Sequence, residues 1–184
     1  MGLGTKGRDG IISLLDEPNK RMQCLALGKL VELVDACWPE IADVIIKIET
    51  LQEDEAFPER ARAALLASKV HFHLGSYEDA LVFALSAGDL FDVNAHTEYT
   101  DTIVSKCIDY YAKLRQHNAE AKPDNLKTID TRLEAVVDRM FERCFQHKQY
   151  KQALGIALEC RRLDMFEKAI KDSVSLNIFL IEYT

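Results

Sequence analysis

Tyr77-Glu78-Asp79-Ala80-Leu81-Val82-Phe83-Ala84-Leu85 returns, altered but recognisable, as Tyr150-Lys151-Gln152-Ala153-Leu154-Gly155-Ile156-Ala157-Leu158. The offset from Tyr77 to Tyr150 is 73 residues, about two units of a 34-residue helical repeat. The segment ahead of each stretch keeps the same register: Ala63 matches Val136, Ala64 matches Val137, Ala67 matches Met140 and Phe72 matches Phe145. Each match therefore covers two helices and the tight turn just before the Tyr. A small Ala in Tyr-x-x-Ala-Leu lets the two helices approach closely, and the Tyr ring is expected to pack over the turn. A lone hairpin cannot bury its apolar face, whereas stacked hairpins share one. The expected fold is all-α, with stacked antiparallel helical hairpins forming an elongated α-solenoid rod. A middle unit between the two matches is not recognisable.

Breakers divide the rest of the chain. Met1 to Arg8 is Gly-rich and without apolar period, and reads as a disordered leader or one added to the protein. Asp9 is expected to cap a short helix carrying Ile11, Ile12, Leu14 and Leu15. Pro18 is expected in the first turn of the next helix, where its missing donor does no harm. That helix shows a stripe of Met22, Leu25, Leu30, Leu33, Val34 and Cys37. Trp38-Pro39 should end it, because the residue before proline avoids helical angles. Pro39 then opens a third helix through Ile41, Val44, Ile45, Ile48 and Leu51. Pro58 to Leu74 and Ser76 to Ala87 form the first matched hairpin. Thr97 to His117 follows, with Ile103, Cys107, Ile108, Tyr111 and Leu114 on one side. Asn118 to Lys127 is the best internal loop. Asp130 to His147, Gln149 to Cys160 and Leu163 to Asp172 complete about ten expected helices.

Charge and cysteine usage exclude several classes of function. The 184 residues carry a formal net charge of -7, and the isoelectric point is near 5.3. No basic stripe is available to neutralise phosphates, and the doublet Arg161-Arg162 lies beside Glu159 and Asp164. Nucleic acid is not an expected partner. The five cysteines, Cys24, Cys37, Cys107, Cys144 and Cys160, have no CxxC spacing and fall in apolar helical registers, where Cys acts as a small core residue. With no signal peptide or apolar run of transmembrane length, a membrane is not expected either. Reduced thiols in the cytoplasm or nucleus are the simple reading.

A resemblance adds to this. The second helix of a tetratricopeptide repeat often begins Gly-x-Tyr-x-x-Ala, and Gly75-Ser76-Tyr77-Glu78-Asp79-Ala80 is similar, so the expected rod is tetratricopeptide-like. More specifically, Gly10-Ile11-Ile12-Ser13-Leu14-Leu15-Asp16-Glu17, Ala67-Ser68-Lys69-Val70, Ala87-Gly88-Asp89-Leu90-Phe91 and Gly155-Ile156-Ala157-Leu158-Glu159 look like one known family. Arg161-Arg162-Leu163-Asp164 and Phe166-Glu167-Lys168 continue that last match. In this order they resemble the N-terminal region of the larger PC-repeat scaffold subunits of the proteasome regulatory particle, the non-ATPase regulatory subunit one family. The resemblance covers roughly Gly10 to Asp172. It implies a helical-repeat arm over 10–172; the leader over 1–9 and the atypical tail over 173–184 look unlike the family. It also implies a non-catalytic scaffold, active in the cytoplasm and nucleus. Its partners would be other regulatory-particle subunits of base and lid, in ubiquitin-dependent protein degradation. The alternative is an independent tetratricopeptide-type adaptor that clamps a peptide tail; such grooves usually present Lys, Arg and Asn, whereas the expected inner positions here are Ala, Leu and Val.

Enzymatic chemistry is not expected. Gly2-Leu3-Gly4-Thr5-Lys6-Gly7 matches GxGxxG in form, but only Met1 precedes it, and the motif needs a strand to aim its glycines. His71 and His73 stand two apart on one helix and point about 200° apart, so they cannot share a metal from it. His71 is expected to pack within the hairpin and His73 to face solvent. His96, His117 and His147 fall near helix ends, where charge or capping accounts for them. No Cys has a setting that lowers its pKa. Glu53-Asp54-Glu55 reads as a solvated acidic loop. No catalytic, cofactor-binding or metal-binding residue is assigned, and neither a cofactor nor a small-molecule substrate is expected.

Overall fold

The structure, a computed structural model, describes residues 5–182. Among them every regular element is helical: α1 (Thr5–Ser13), α2 (Lys20–Ala42), α3 (Ile45–Glu53), α4 (Arg60–His73), α5 (Tyr77–Ala87), α6 (Glu98–Glu120), α7 (Thr131–Gln146), α8 (Tyr150–Glu159) and α9 (Leu163–Glu182). The all-α expectation holds. The chain divides into two compact units, residues 1–92 and 93–184.

In the first unit α4 is the central helix. Its Ala63, Leu66, Ala67 and Val70 are buried with Leu27, Leu30, Val34 and Ile41 of α2, Ile48 of α3 and Phe57. Small alanines let α5 approach, and the Ser68 hydroxyl donates 2.6 Å to the Ala80 carbonyl across that contact. Four local expectations are corrected here. Asp9 lies inside α1 rather than capping it. Pro18 precedes α2 altogether, because Asn19 takes the N-cap and its side chain accepts from the Arg21 N–H at 2.9 Å. Met22 and Leu25 are exposed, so the buried stripe of α2 runs instead through Ala26, Leu27, Leu30, Val34, Cys37 and Ile41. Finally, Pro39 kinks α2 rather than ending it. Cys37 leaves helical geometry (φ -140, ψ 28), which relieves the clash of the proline ring with the preceding turn. The next break falls at Val44 (φ -115, ψ 16), so the expected third helix is two pieces.

In the second unit α6 and α7 run antiparallel. The Tyr111 hydroxyl, late in α6, donates to Glu134 early in α7 at 3.1 Å. Arg143 near the end of α7 lies 3.9 Å from Asp101 near the start of α6. Thr97 caps α6 by accepting from Thr100 N–H, and Asp130 caps α7 by accepting from Arg132 N–H at 2.8 Å. Between them Asn118 closes the loop in both directions: its amide donates to the Lys127 carbonyl at 2.7 Å and its oxygen accepts from Lys127 N–H at 2.8 Å. The buried interior is Ile103, Cys107, Tyr111, Leu133, Val137, Phe141 and Cys144. α9 continues past Asp172 to Glu182.

The repeat is visible in the backbone. The turn between α4 and α5 bonds Ser76 N–H to the His71 carbonyl and Gly75 N–H to the Phe72 carbonyl. The turn between α7 and α8 bonds Gln149 N–H to Cys144 and Lys148 N–H to Phe145 in the same way. Both are Schellman closures. Phe72 packs on Tyr77 at 6.0 Å and Phe145 on Tyr150 at 6.5 Å between ring centroids. Ala80 and Ala153 are both fully buried. No middle hairpin separates the two: between α5 and α7 stands the single 23-residue helix α6, close to the long helix expected over Thr97 to His117. The 73-residue offset is thus one hairpin, a connection and one long helix.

Candidate protein-interaction surface

Arg162, the residue just before α9, is the most heavily engaged charged side chain. Its Nη1 donates to Asp138 of α7 at 2.8 Å and approaches the Tyr111 hydroxyl of α6 at 3.4 Å. Its Nε and Nη2 grip Asp164 at 2.9 and 2.8 Å. The guanidinium also lies 5.9 Å from the centre of the Phe141 ring. These hydrogen bonds, that to Asp164 foremost, hold Arg162 charged, and Arg162 in turn holds the Asp164 carboxyl below its ordinary range. Arg162 therefore fastens three helices of the second unit. Neighbouring Arg161 pairs with Glu120 at 3.5 Å, so the arginine doublet is no phosphate-binding pair.

The histidines are divided as the helix geometry requires. His71 reaches α3, with Nε2 2.8 Å from Glu49, and its ring stacks on Phe83 at 5.3 Å. His73 departs from the expectation of a solvent-facing side chain. It stacks on Trp38 at 5.7 Å and bonds Asp35 at 3.1 Å, because the kinked end of α2 passes beside it. His96 accepts from Arg143 at 3.1 Å, and His117 meets the Asn125 carbonyl at 3.3 Å.

The five cysteines are free thiols. Burial pushes Cys107 up to about 12 and Cys160 up to about 11, and raises Cys24, Cys37 and Cys144 as well. Thiols so held are protonated at neutral pH, the reverse of a nucleophile's setting. Asp54 of the acidic run accepts from Ala56 N–H at 2.9 Å and from Lys20 at 3.2 Å. Of the formal GxGxxG stretch, Gly2, Leu3 and Gly4 lie outside the described residues, and Thr5 to Gly7 belong to α1. Among the described residues no group of three His, Cys, Asp or Glu is placed to hold a metal ion. No described helix is long and apolar enough to cross a membrane.

The second unit also contains a cleft of about 470 Å³. Val104 and Ile108 of α6, Met140 of α7 and Ile156 of α8 supply its apolar lining, and Asp101, Ser105, Asp109, Arg143, Gln152 and Glu159 its polar one. The sequence did not single it out, since it depends on which faces of three separate helices converge.

Comparison with known proteins bears on these surfaces. The profile of the family described as "26S proteasome subunit RPN2, N-terminal domain" matches residues 7–184. The chain is 56% identical over 164 residues to 26S proteasome non-ATPase regulatory subunit 1 of Drosophila melanogaster, covering 89% of this chain and 16% of that protein. It is 47% identical over 163 residues to the homolog B of that subunit in Arabidopsis thaliana, covering 88% and 16%. To 26S proteasome regulatory subunit RPN2 of Saccharomyces cerevisiae it is 38% identical over 180 residues, covering 94% and 19%. The chain thus spans about a sixth of the length of the first two relatives.

Proposed function

The chain belongs to the family of 26S proteasome RPN2 N-terminal domains, and on that premise we propose that it is a non-catalytic scaffold arm of the proteasome regulatory particle. It helps to assemble base and lid for ubiquitin-dependent protein degradation, in the cytoplasm and nucleus, with other regulatory-particle subunits as its partners. The observation that carries this reading is the family match over residues 7–184. The all-helical fold of the described residues, with its repeated hairpin, fits that reading. The buried, protonated thiols and the internal use of Arg162 fit a role in packing rather than in turnover. The adaptor reading gains nothing from the cleft: a terminal carboxylate would meet Asp101, Asp109 and Glu159 there.

Affinity capture of the full-length protein under native conditions, with quantitative mass spectrometry, tests the proposal. Base and lid subunits are expected in the eluate, with lower base–lid recovery when residues 10–172 are deleted. An eluate free of proteasome subunits, holding unrelated ligands with short free tails instead, would overturn it.

A further inference from the structure

The cleft of the second unit separates its polarities. Val104, Met140 and Ile156 are nearly buried, whereas Asp101, Asp109 and Glu159 are exposed around them. The cation at its edge is already committed. Arg143 donates from Nη1 to the Val93 carbonyl at 2.7 Å and from Nη2 to His96 at 3.1 Å, and lies 3.9 Å from Asp101. Asp109 and Glu159 make no ion pair among the described residues.

The volume of about 470 Å³ falls within the ~300–1,000 Å³ usual for specific pockets.

We propose that this cleft docks a basic segment of a partner protein, which seats an apolar side chain against the half-exposed Ile108, above the floor of Val104, Met140 and Ile156, and sets flanking Lys or Arg against Asp109 and Glu159. Charge decides the class of occupant. Phosphates would be repelled by the carboxylate rim, and exposed carboxylates steer a cationic partner and reject an acidic one. The inference rests on the scaffold reading and names the chemistry of one of its contacts.

A photo-crosslinking residue replaces Gln152, on the exposed rim, in the full-length protein expressed in its own cells, and the captured peptide is sequenced. The expected capture is a partner segment with an apolar residue flanked by Lys or Arg. Its yield should drop at least tenfold in D109K/E159K, drop less in D109N/E159Q, and hold in E142K, an exposed carboxylate of α7 outside the cleft. Matching thermal melts for these variants establish that the fold is kept. An acidic or uncharged captured segment, a segment of this same chain, no captured protein, or an unchanged yield in D109K/E159K would each overturn the proposal. Whether the captured segment belongs to a proteasome subunit bears on the scaffold reading alone.

Discussion

Gly75 and Lys148 hold the same place in two helical hairpins and share a left-handed backbone, with φ of 77 and 56. Each closes its helix by donating to the carbonyl three residues back, Phe72 in one hairpin and Phe145 in the other. Gly88 and Arg161, again 73 residues apart, also have positive φ, 58 and 52, and their N–H groups bond the matched carbonyls of Leu85 and Leu158. The repeat is therefore written in backbone geometry at positions where the side chains have no likeness.

That geometry is unfavourable for a residue with a Cβ and free of penalty for glycine. Lys148 is exposed, so its replacement by Gly removes strain and no packing. Lys148→Gly is expected to raise stability by about 0.5–1 kcal/mol in urea unfolding, and Gly75→Ala to lower it by at least about 1 kcal/mol. Equal midpoints for all three proteins would contradict the left-handed assignment at both turns.

Ala80 and Ala153 are fully buried where the second helix of each hairpin meets the first. Ala80→Leu and Ala153→Leu should each cost about 1–3 kcal/mol through overpacking, a large part of a usual ~5–15 kcal/mol. Lys151→Ala, on the exposed side of α8, should stay within about 0.5 kcal/mol. Parent-like midpoints for both leucine variants would mean that the helices do not touch at these alanines.

The thiols give a chemical reading of burial. Cys24 is partly accessible and the other four are buried, so an aromatic disulfide reagent should modify Cys24 first in the native protein and count five after denaturation without reductant. Cys107 and Cys160, pushed up to about 12 and about 11, also make stability depend on alkaline pH. Their folded pKa values lie above the unfolded value near 9.0, so this contribution is complete below pH ~9 and is lost as pH rises toward ~12. Cys107→Ser should flatten the loss of stability above pH ~9 relative to the parent. Parallel curves would place Cys107 in contact with water.

Much of this fold was legible because its signals are local. Tyr77, Ala80 and Phe72 declared a hairpin by matching Tyr150, Ala153 and Phe145, and the expected helix starts at Thr97 and Asp130 coincide with the residues that cap α6 and α7. What was missed depends on competition or on distance. Pro18 lost the helix start to Asn19, a better cap one residue on. The buried phase of α2 falls on Ala26 and Leu27 rather than on Met22 and Leu25, since Ala26 and Leu27 directly follow Leu25 and are a nearly equal apolar choice. His73 finds Asp35 and Trp38, and Arg162 finds Asp138 and Tyr111, only because separate helices converge. The cleft belongs to the same class: its carboxylates sit on α6 and α8, about fifty residues apart, with no spacing for a sequence pattern to register.

Arg162 supplies the last test. Its side chain is nearly buried and joins Asp138, Asp164 and Tyr111. Arg162→Met keeps apolar contact with Phe141 and removes every hydrogen bond of the guanidinium. The aspartates are partly exposed, at 42% and 58% of their side chains, so water compensates in part. The expected cost at pH 7 is about 1–3 kcal/mol. Acid should narrow that gap. The Asp164 carboxyl is held below its ordinary value, first by its hydrogen bonds to Arg162. Its contribution is therefore present above the unfolded pKa of about 3.9 and is lost as pH falls through the lower folded value. Urea midpoints at pH 7, 5 and 3 should show the parent dropping more steeply than Arg162→Met below pH ~4. The variant should still lose some stability there, because Asp130 is lowered independently by Arg132. If the two proteins decline in parallel, the Arg162–Asp164 pair contributes nothing to folding, and the fastening of α9 to α6 and α7 rests on apolar packing alone.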